Sequence, residues 1–173
     1  MLSTRAQLLK DYKEKLMLLV TVGTQLPFDR LINAVDTWAK NNPQEEVFAQ
    51  IGSTKSTPKY LNFASKVNPD EFKALVRSDL IIAHAGMGSI LMGLEHSKPV
   101  IIVPRLAVFG EHRNDHQLAT ITKFAHIPQI YPAEPGNLAC TITKVKYEEF
   151  ESRRFTAHAS KELIRCVKNF VGL

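Results

Sequence analysis

The chain has 173 residues, 45% of them hydrophobic, with 8 Gly and 9 Pro, which suits one domain with an ample core. Its 22 Lys and Arg against 17 Asp and Glu leave a net charge of +5, too sparse for the basic stripe of a nucleic-acid binder and better matched to an anionic ligand or an acidic membrane face. Cys140 and Cys166 form no CxxC pair, which argues against a metal–thiolate site and predicts free, buried or half-buried thiols in a reducing compartment; no apolar window reaches the roughly 18 to 20 residues of a membrane span, so a soluble, cytoplasmic chain is expected.

Residues 1–15 are polar and charged and read as an N-terminal extension, with Met17 as an alternative start; residues 16–173 read as a single domain. The apolar run 16–22 predicts a buried strand. A turn at 23–27 follows, and then Phe28, Leu31, Ile32, Val35 and Trp38 keep one helical face apolar. Strands are expected at 47–51, running into Gly52, Ser53 and Thr54, and at 60–64. Asn68, Pro69 and Glu71 form a helix start with an Asn cap, Pro in first position and Glu completing a capping box; that helix should end near Ser78. Next come a strand at 80–84, a helix at 88–96, a strand at 99–103, a loop at 104–113, a helix at 114–124 and a strand at 128–131. Residues 132–145 read as a Pro- and Gly-containing connection. Residues 147–172, with Phe150, Phe155, Ala159, Leu163, Ile164, Val167 and Val171, read as a closing helix. Continuous apolar strands alternating with amphipathic helices require a parallel sheet covered on both faces, so the fold class is α/β, doubly wound and Rossmann-like.

In such a sheet ligands gather at the carboxyl ends of the strands, where helix N-termini offer bare amides. Three loops there are small and polar: 23–25, 52–54 and 84–89. The last is best placed, because Gly86 and Gly88 allow the backbone to bend and an anion to approach while Ser89 enters the first helical turn. A tight strand-to-helix turn explains any one of these loops alone; together they point to a nucleotide. The first loop lacks GxGxxG, the second strand ends without an acidic residue, and no GxxxxGKS/T occurs, which disfavours NAD and ATP. His84 either bonds a phosphate or orients its loop. His112 and His116, four apart, have zinc-ligand spacing, but HExxH and a third ligand are missing, so no metal is expected. Asp115, His116 and Gln117 at a helix start suit a polyhydroxyl ligand.

The runs "VTVGTQ", "HAGMGSILMGLEHSKPVIIVP" and "NDHQLAT" resemble the C-terminal, donor-binding domain of glycosyltransferase family 28, one half of a GT-B fold. The likeness covers about residues 17–125. It is closest to the single-domain subunits of two-component transferases, the bacterial capsule and exopolysaccharide type in particular. The resemblance implies a UDP-sugar donor, with no metal or other cofactor. Its diphosphate would meet Gly23, Thr24 and the turn Gly86, Met87, Gly88 and Ser89; the nucleoside would meet the loop near His84 and segment 104–110; the sugar hydroxyls would meet Asp115, His116 and Gln117; Gln25 and Ala85 complete the expected substrate-binding set. In the larger enzymes a glutamate eight positions after the motif histidine grips the ribose. Met92 stands there in this chain, and Glu95 lies nearly one turn later.

A GT-B site lies between two domains, so the resemblance further implies a membrane-anchored, acceptor-binding partner subunit and a polyprenyl-diphosphate-linked saccharide acceptor, with no nucleic acid. The catalytic base is unknown, expected on the partner, with His116 the weaker candidate here. The chain would sit peripherally at the inner membrane face through that partner. A non-catalytic enhancing subunit and, further off, a nucleotide-dependent oxidoreductase are the competing readings. Arg105 and Arg113 are candidates to pair with a uronate carboxylate, against the plainer role of loop arginines facing solvent or phosphate.

Overall fold

The computed structural model of the chain describes residues 15–148 and 165. Chain order runs β1 (Met17–Thr21), α1 (Asp29–Asn41), β2 (Glu46–Gln50), β3 (Asn62–Ala64), α2 (Pro69–Leu75), β4 (Leu80–His84), α3 (Met87–Glu95), β5 (Val100–Val103), a 3-10 turn (Ala107–Phe109), α4 (His116–Phe124), β6 (Ile130–Pro132) and α5 (Leu138–Tyr147). The strands form one six-stranded sheet in the order β3-β2-β1-β4-β5-β6, and every pairing is parallel. Strand order reverses between β1 and β4, which makes their carboxyl ends the natural ligand crevice of a doubly wound sheet.

The apolar runs are continuous because each central strand is buried on both sides. Leu18 and Val20 of β1, Leu80 and Ile82 of β4, and Ile101 and Val103 of β5 join α1 and α5 in one core cluster. Leu19, Ile81, Ala83, Val100 and Ile102 alternate with them and face α3 in the other. α3 lies so close to the sheet that a Cβ on Gly93 would stand 2.1 Å from Val100 Cγ2. At α2 the capping box forms as expected: Asn68 Oδ1 accepts from the amides of Asp70 and Glu71, and Glu71 Oε2 accepts from the Asn68 amide.

Three expectations need correction. Residues 132–145 are not only a connection, for α5 begins at Leu138. Pro135 and Gly136 precede it, and Leu138, Ile142 and Val145, spaced by four and three, bury one stripe beside α1. Cys140 is exposed rather than buried, because it lies off that stripe. The helix after Asn68 ends at Leu75 and continues to Ser78 only as turns. Residues 1–14, Cys166 and the closing helix at 147–172 beyond Glu148 lie outside the described residues, apart from Arg165, which is helical.

The Gly93 contact yields a test. Gly93→Val must push β5 or α3 aside, and overpacking of this kind costs about 1–3 kcal/mol, read as a lower urea midpoint with an unchanged slope. Undiminished stability would mean that α3 does not sit this close to the sheet.

Candidate functional site

A cleft of about 390 Å³ opens at the strand-order reversal, lined by the loop after β1, the start of α3, the end of β5 and the start of α4. His84, the last residue of β4, forms its floor. Built Cβ atoms on Gly23 and Gly86 would come within 2.8 and 2.2 Å of the His84 ring, so glycine at both positions makes room for the imidazole. Gly23 also has φ +74, a left-handed conformation. Gly86 and Gly88 do not. Gly86 is extended at φ −95 as the N-cap of α3, and Gly88 is helical, so the expectation that they bend the backbone is corrected: they supply space. A Cβ on Gly88 would meet nothing within 4 Å, because it points into the open cleft it lines.

The amides of the 84–89 turn divide in two. Ala85 N–H donates to the Val103 carbonyl and Gly86 N–H to the His84 carbonyl. Met87, Gly88 and Ser89 stand in the first turn of α3, where amides have no intrahelical acceptor, and no side chain caps them. Dipole and bare donors together make this an anion seat. Below it lies Arg105, only 2% exposed. Its guanidinium donates to the carbonyls of Val22, Pro27 and Glu111 and stacks 4.7 Å from the Phe28 ring centroid. Arg30 forms a two-pronged ion pair with buried Glu111 at 2.9 and 2.8 Å. Two guanidinium groups thus stand against one carboxylate, leaving a net positive charge beneath the cleft.

The sequence-predicted residues divide likewise. Gly23, Thr24, Gln25, His84, Gly86, Gly88, Ser89, His116 and Gln117 line the cleft; Ala85, Met87 and Asp115 do not. Ala85 is buried in the sheet and the Met87 side chain projects into solvent. Asp115 Oδ1 accepts from Ala107 N–H at 2.7 Å and closes the 107–115 loop. Gln117 is 3% exposed; its Oε1 holds Arg105 N–H, leaving Nε2 for the cleft. His116 Nδ1 lies 2.5 Å from Asn114 Oδ1. An amide oxygen only accepts, so His116 Nδ1 donates in this contact. The 52–54 loop props the site from behind: Gly52 has φ +57, and Ser53 Oγ donates to the Gln25 carbonyl.

Of segment 104–110 only Arg105 reaches the cleft; Val108 and Phe109 are exposed outside it. Three guanidinium bonds of Arg105 go to backbone carbonyls, which makes clamping the loops its evident role, and Arg113 is exposed away from the cleft. Sequence reasoning missed the buried Gln50, which accepts from Thr21 Oγ1 and donates to the Gly23 carbonyl. It also missed Glu111 and the cleft wall of Phe72. A polar residue ending an apolar strand was the available signal for Gln50; for the other two there was none. Met92, the departure noted in sequence, lines the same wall. Among the described residues no group of three or more metal-ligating side chains occurs.

The model of the glycosyltransferase family 28 C-terminal domain matches residues 17–164, and the chain belongs to that family. No curated protein sequence matches it. Among solved structures, the glycotransferase of kitacinnamycin aligns with a TM-score of 0.61 at 16% identity, over 78% of this chain and 36% of that one. MurG of Acinetobacter baumannii aligns at 0.55 and 18% identity, over 83% and 44%. The chain therefore spans less than half the length of each of these two. ALG13, solved by NMR, aligns at 0.60 and 18% identity, over 84% of this chain and 92% of its own. These likenesses establish the shared fold, one half of a GT-B enzyme.

Burial, then the nearby Arg105 and His112, pull His84 from its ordinary 6.5 down to about 4, against an opposing pull from the Thr21 backbone. The unfolded chain therefore binds a proton at His84 before the folded chain does. Stability from the neutral ring is full above about pH 6.5 and is lost as pH falls towards 4, up to about 3 kcal/mol. Urea midpoints at pH 7 and 4.5 should differ more for the native chain than for His84→Gln; equal differences would show that His84 does not titrate this way.

Proposed function

We propose that this chain is the donor-binding subunit of a two-component inverting glycosyltransferase. It would move a hexose, hexuronate or N-acetylhexosamine from a UDP-sugar to a polyprenyl-diphosphate-linked saccharide in polysaccharide biosynthesis. The observation that carries this reading is the set of bare amides at Met87, Gly88 and Ser89, set over a buried cation at the strand-order reversal. A nucleoside diphosphate is the anion whose size and charge suit that seat. Family membership supports glycosyl transfer as the chemistry.

The acceptor hydroxyl attacks the anomeric carbon from the face opposite the diphosphate, the bond from that carbon to the diphosphate oxygen breaks, and UDP departs. Charge builds on the departing oxygen, and the amides and dipole of α3 stabilise it, without a metal ion in this reading. Sugar hydroxyls meet His116 and Gln117, while Asp115 acts only by holding the neighbouring loop. The hydroxyl proton must go to a base. Among the described residues no Asp or Glu lines the cleft and His116 is the weaker candidate base there, so the base is assigned to a second, membrane-anchored polypeptide that binds the acceptor and brings this chain to the inner membrane face. The net charge of +5 suits work near anionic lipid.

Gly88→Val fills the mouth of the anion seat without touching the core. UDP binding by calorimetry should fall at least about tenfold while cooperative unfolding is retained, since a blocked approach loses more than one charge-assisted hydrogen bond. Unchanged affinity would place the diphosphate elsewhere. Co-expression with an acceptor-binding partner, assayed with a panel of labelled UDP-sugars, should give transfer only when both chains are present. Transfer by this chain alone would overturn the two-component reading, and failure to bind any UDP-sugar would favour a non-catalytic enhancing subunit.

A further inference from the structure

Gln50, the last residue of β2, is buried beside the loop that follows β1 and does not line the cleft. Its Nε2 lies 3.1 Å from the Gly23 carbonyl and 3.3 Å from the Ser65 carbonyl. Carbonyls only accept, so both contacts require the amide nitrogen there and turn Oε1 to Thr21 Oγ1, 2.8 Å away. Oε1 also only accepts, so the Thr21 hydroxyl gives its proton to it and keeps a lone pair for Gly23 N–H at 3.3 Å. Thr21 and Gln50 thus grip Gly23 at both its N–H and its carbonyl.

That grip sets a peptide plane. Peptide bonds among the described residues are trans, so Thr24 N–H points opposite to the Gly23 carbonyl. β1 stands between β2 and β4 in the sheet. A carbonyl drawn to Gln50 on the β2 side therefore turns Thr24 N–H towards the β4 side, where the cleft opens and α3 presents its bare amides. Gly52 leaves room for the carbonyl from behind, since a built Cβ there would stand 2.9 Å from its oxygen. Glycine at position 23 leaves the plane free to turn on steric grounds, so the two side chains are what hold it.

We propose that Gln50, acting through Thr21 and Gly23, is a positioning residue for the anion. It holds Thr24 N–H towards the seat at Met87, Gly88 and Ser89, so that diphosphate affinity depends on a side chain the ligand never touches. This rests on the donor-site reading above. Once released, the Gly23–Thr24 peptide turns over and presents its carbonyl, which repels the anion that the amide would hold. Exchanging a donor for an acceptor at one spot changes affinity roughly tenfold or more.

Gln50→Glu in the full chain separates positioning from packing, because the two side chains are nearly the same size. An ionised carboxylate has no proton for the Gly23 carbonyl, whereas a protonated one donates again. Burial against two carbonyls raises its pKa above the ordinary value of about 4.3. UDP titrated by calorimetry should bind the variant about tenfold or more weaker than the native chain at pH 8.5, and within about threefold of it at pH 5.5. His84, whose ring lies against Gly23, and Arg105, which donates to the Val22 carbonyl, are present in both chains. Comparing variant with native at each pH removes their contribution and the titration of UDP itself.

In amide NMR spectra the Thr24 resonance should move downfield with UDP in the native chain. At pH 8.5 it should cease to respond in Gln50→Glu while Met87, Gly88 and Ser89 still do. If the buried carboxylate prevents folding, Thr21→Val loosens the same grip and should weaken UDP about three- to tenfold, with Thr21→Ser restoring it. A Thr24 amide that ignores UDP in the native chain, or equal weakening of Gln50→Glu at both pH values, overturns this inference and leaves the anion seat standing. If the α3 amides are also indifferent to UDP, the donor-site reading falls and takes this one with it.

Discussion

Arg105 is 2% exposed, and its guanidinium donates to the carbonyls of Val22, Pro27 and Glu111, so the loops after β1 and β5 share one clamp. A buried cation is tolerable only when its donors are satisfied, and here backbone carbonyls do most of that work. Loop carbonyls leaving a sheet edge have no ladder partners of their own, so clamp and loops satisfy each other. Glu111 extends the arrangement by accepting from Leu106 N–H and pairing with Arg30, which also donates to the Pro104 carbonyl. Because the carboxylate is shared with Arg30, the charge of Arg105 is not cancelled. The same group that shapes the cleft gives it a positive floor.

His84 shows how shape and charge constrain each other there. Its ring fills the space left by Gly23 and Gly86, close enough to Arg105 that a second positive charge is disfavoured. The ring stays neutral, and its buried Nδ1 makes no hydrogen bond. A protonated imidazole would attract an anion more strongly, but it would have to form beside a buried guanidinium in a low-dielectric site. The fold offers bare amides at the cleft and uses a neutral ring as packing.

The architecture was legible in the sequence because one physical demand, burial of both sheet faces, writes itself as continuous apolar runs. The capping box at Asn68 was legible because it is local, two side chains three residues apart. The turn at 84–89 could be found for the same reason, although Gly86 turns out to make room for a ring and Gly88 to line the open cleft, neither taking positive φ. What could not be read was long-range. Arg105 meets Val22 across 83 positions and Arg30 meets Glu111 across 81, and no spacing rule links them. Asp115 and Gln117 were recognised as polar residues at a helix start, yet whether such groups face a ligand or the chain's own loops depends on the fold's closure. α5 was missed because Pro135 and Gly136 dominated a window whose apolar stripe begins only at Leu138.

That closure explains why the cleft suits binding better than complete catalysis. Asp115 Oδ1 is turned to Ala107, Gln117 Oε1 to Arg105 and His116 Nδ1 to Asn114. The acceptor oxygens of Asp115 and Gln117 serve the loops, and what faces the cleft includes several donors: the α3 amides and Gln117 Nε2. Donors match the oxygens of a diphosphate and hold negative charge as it develops on a leaving group. Amide donors cannot themselves remove a proton from an attacking hydroxyl. Such a surface suits holding an anion better than activating a nucleophile, and that balance would fit a donor site completed by a second domain.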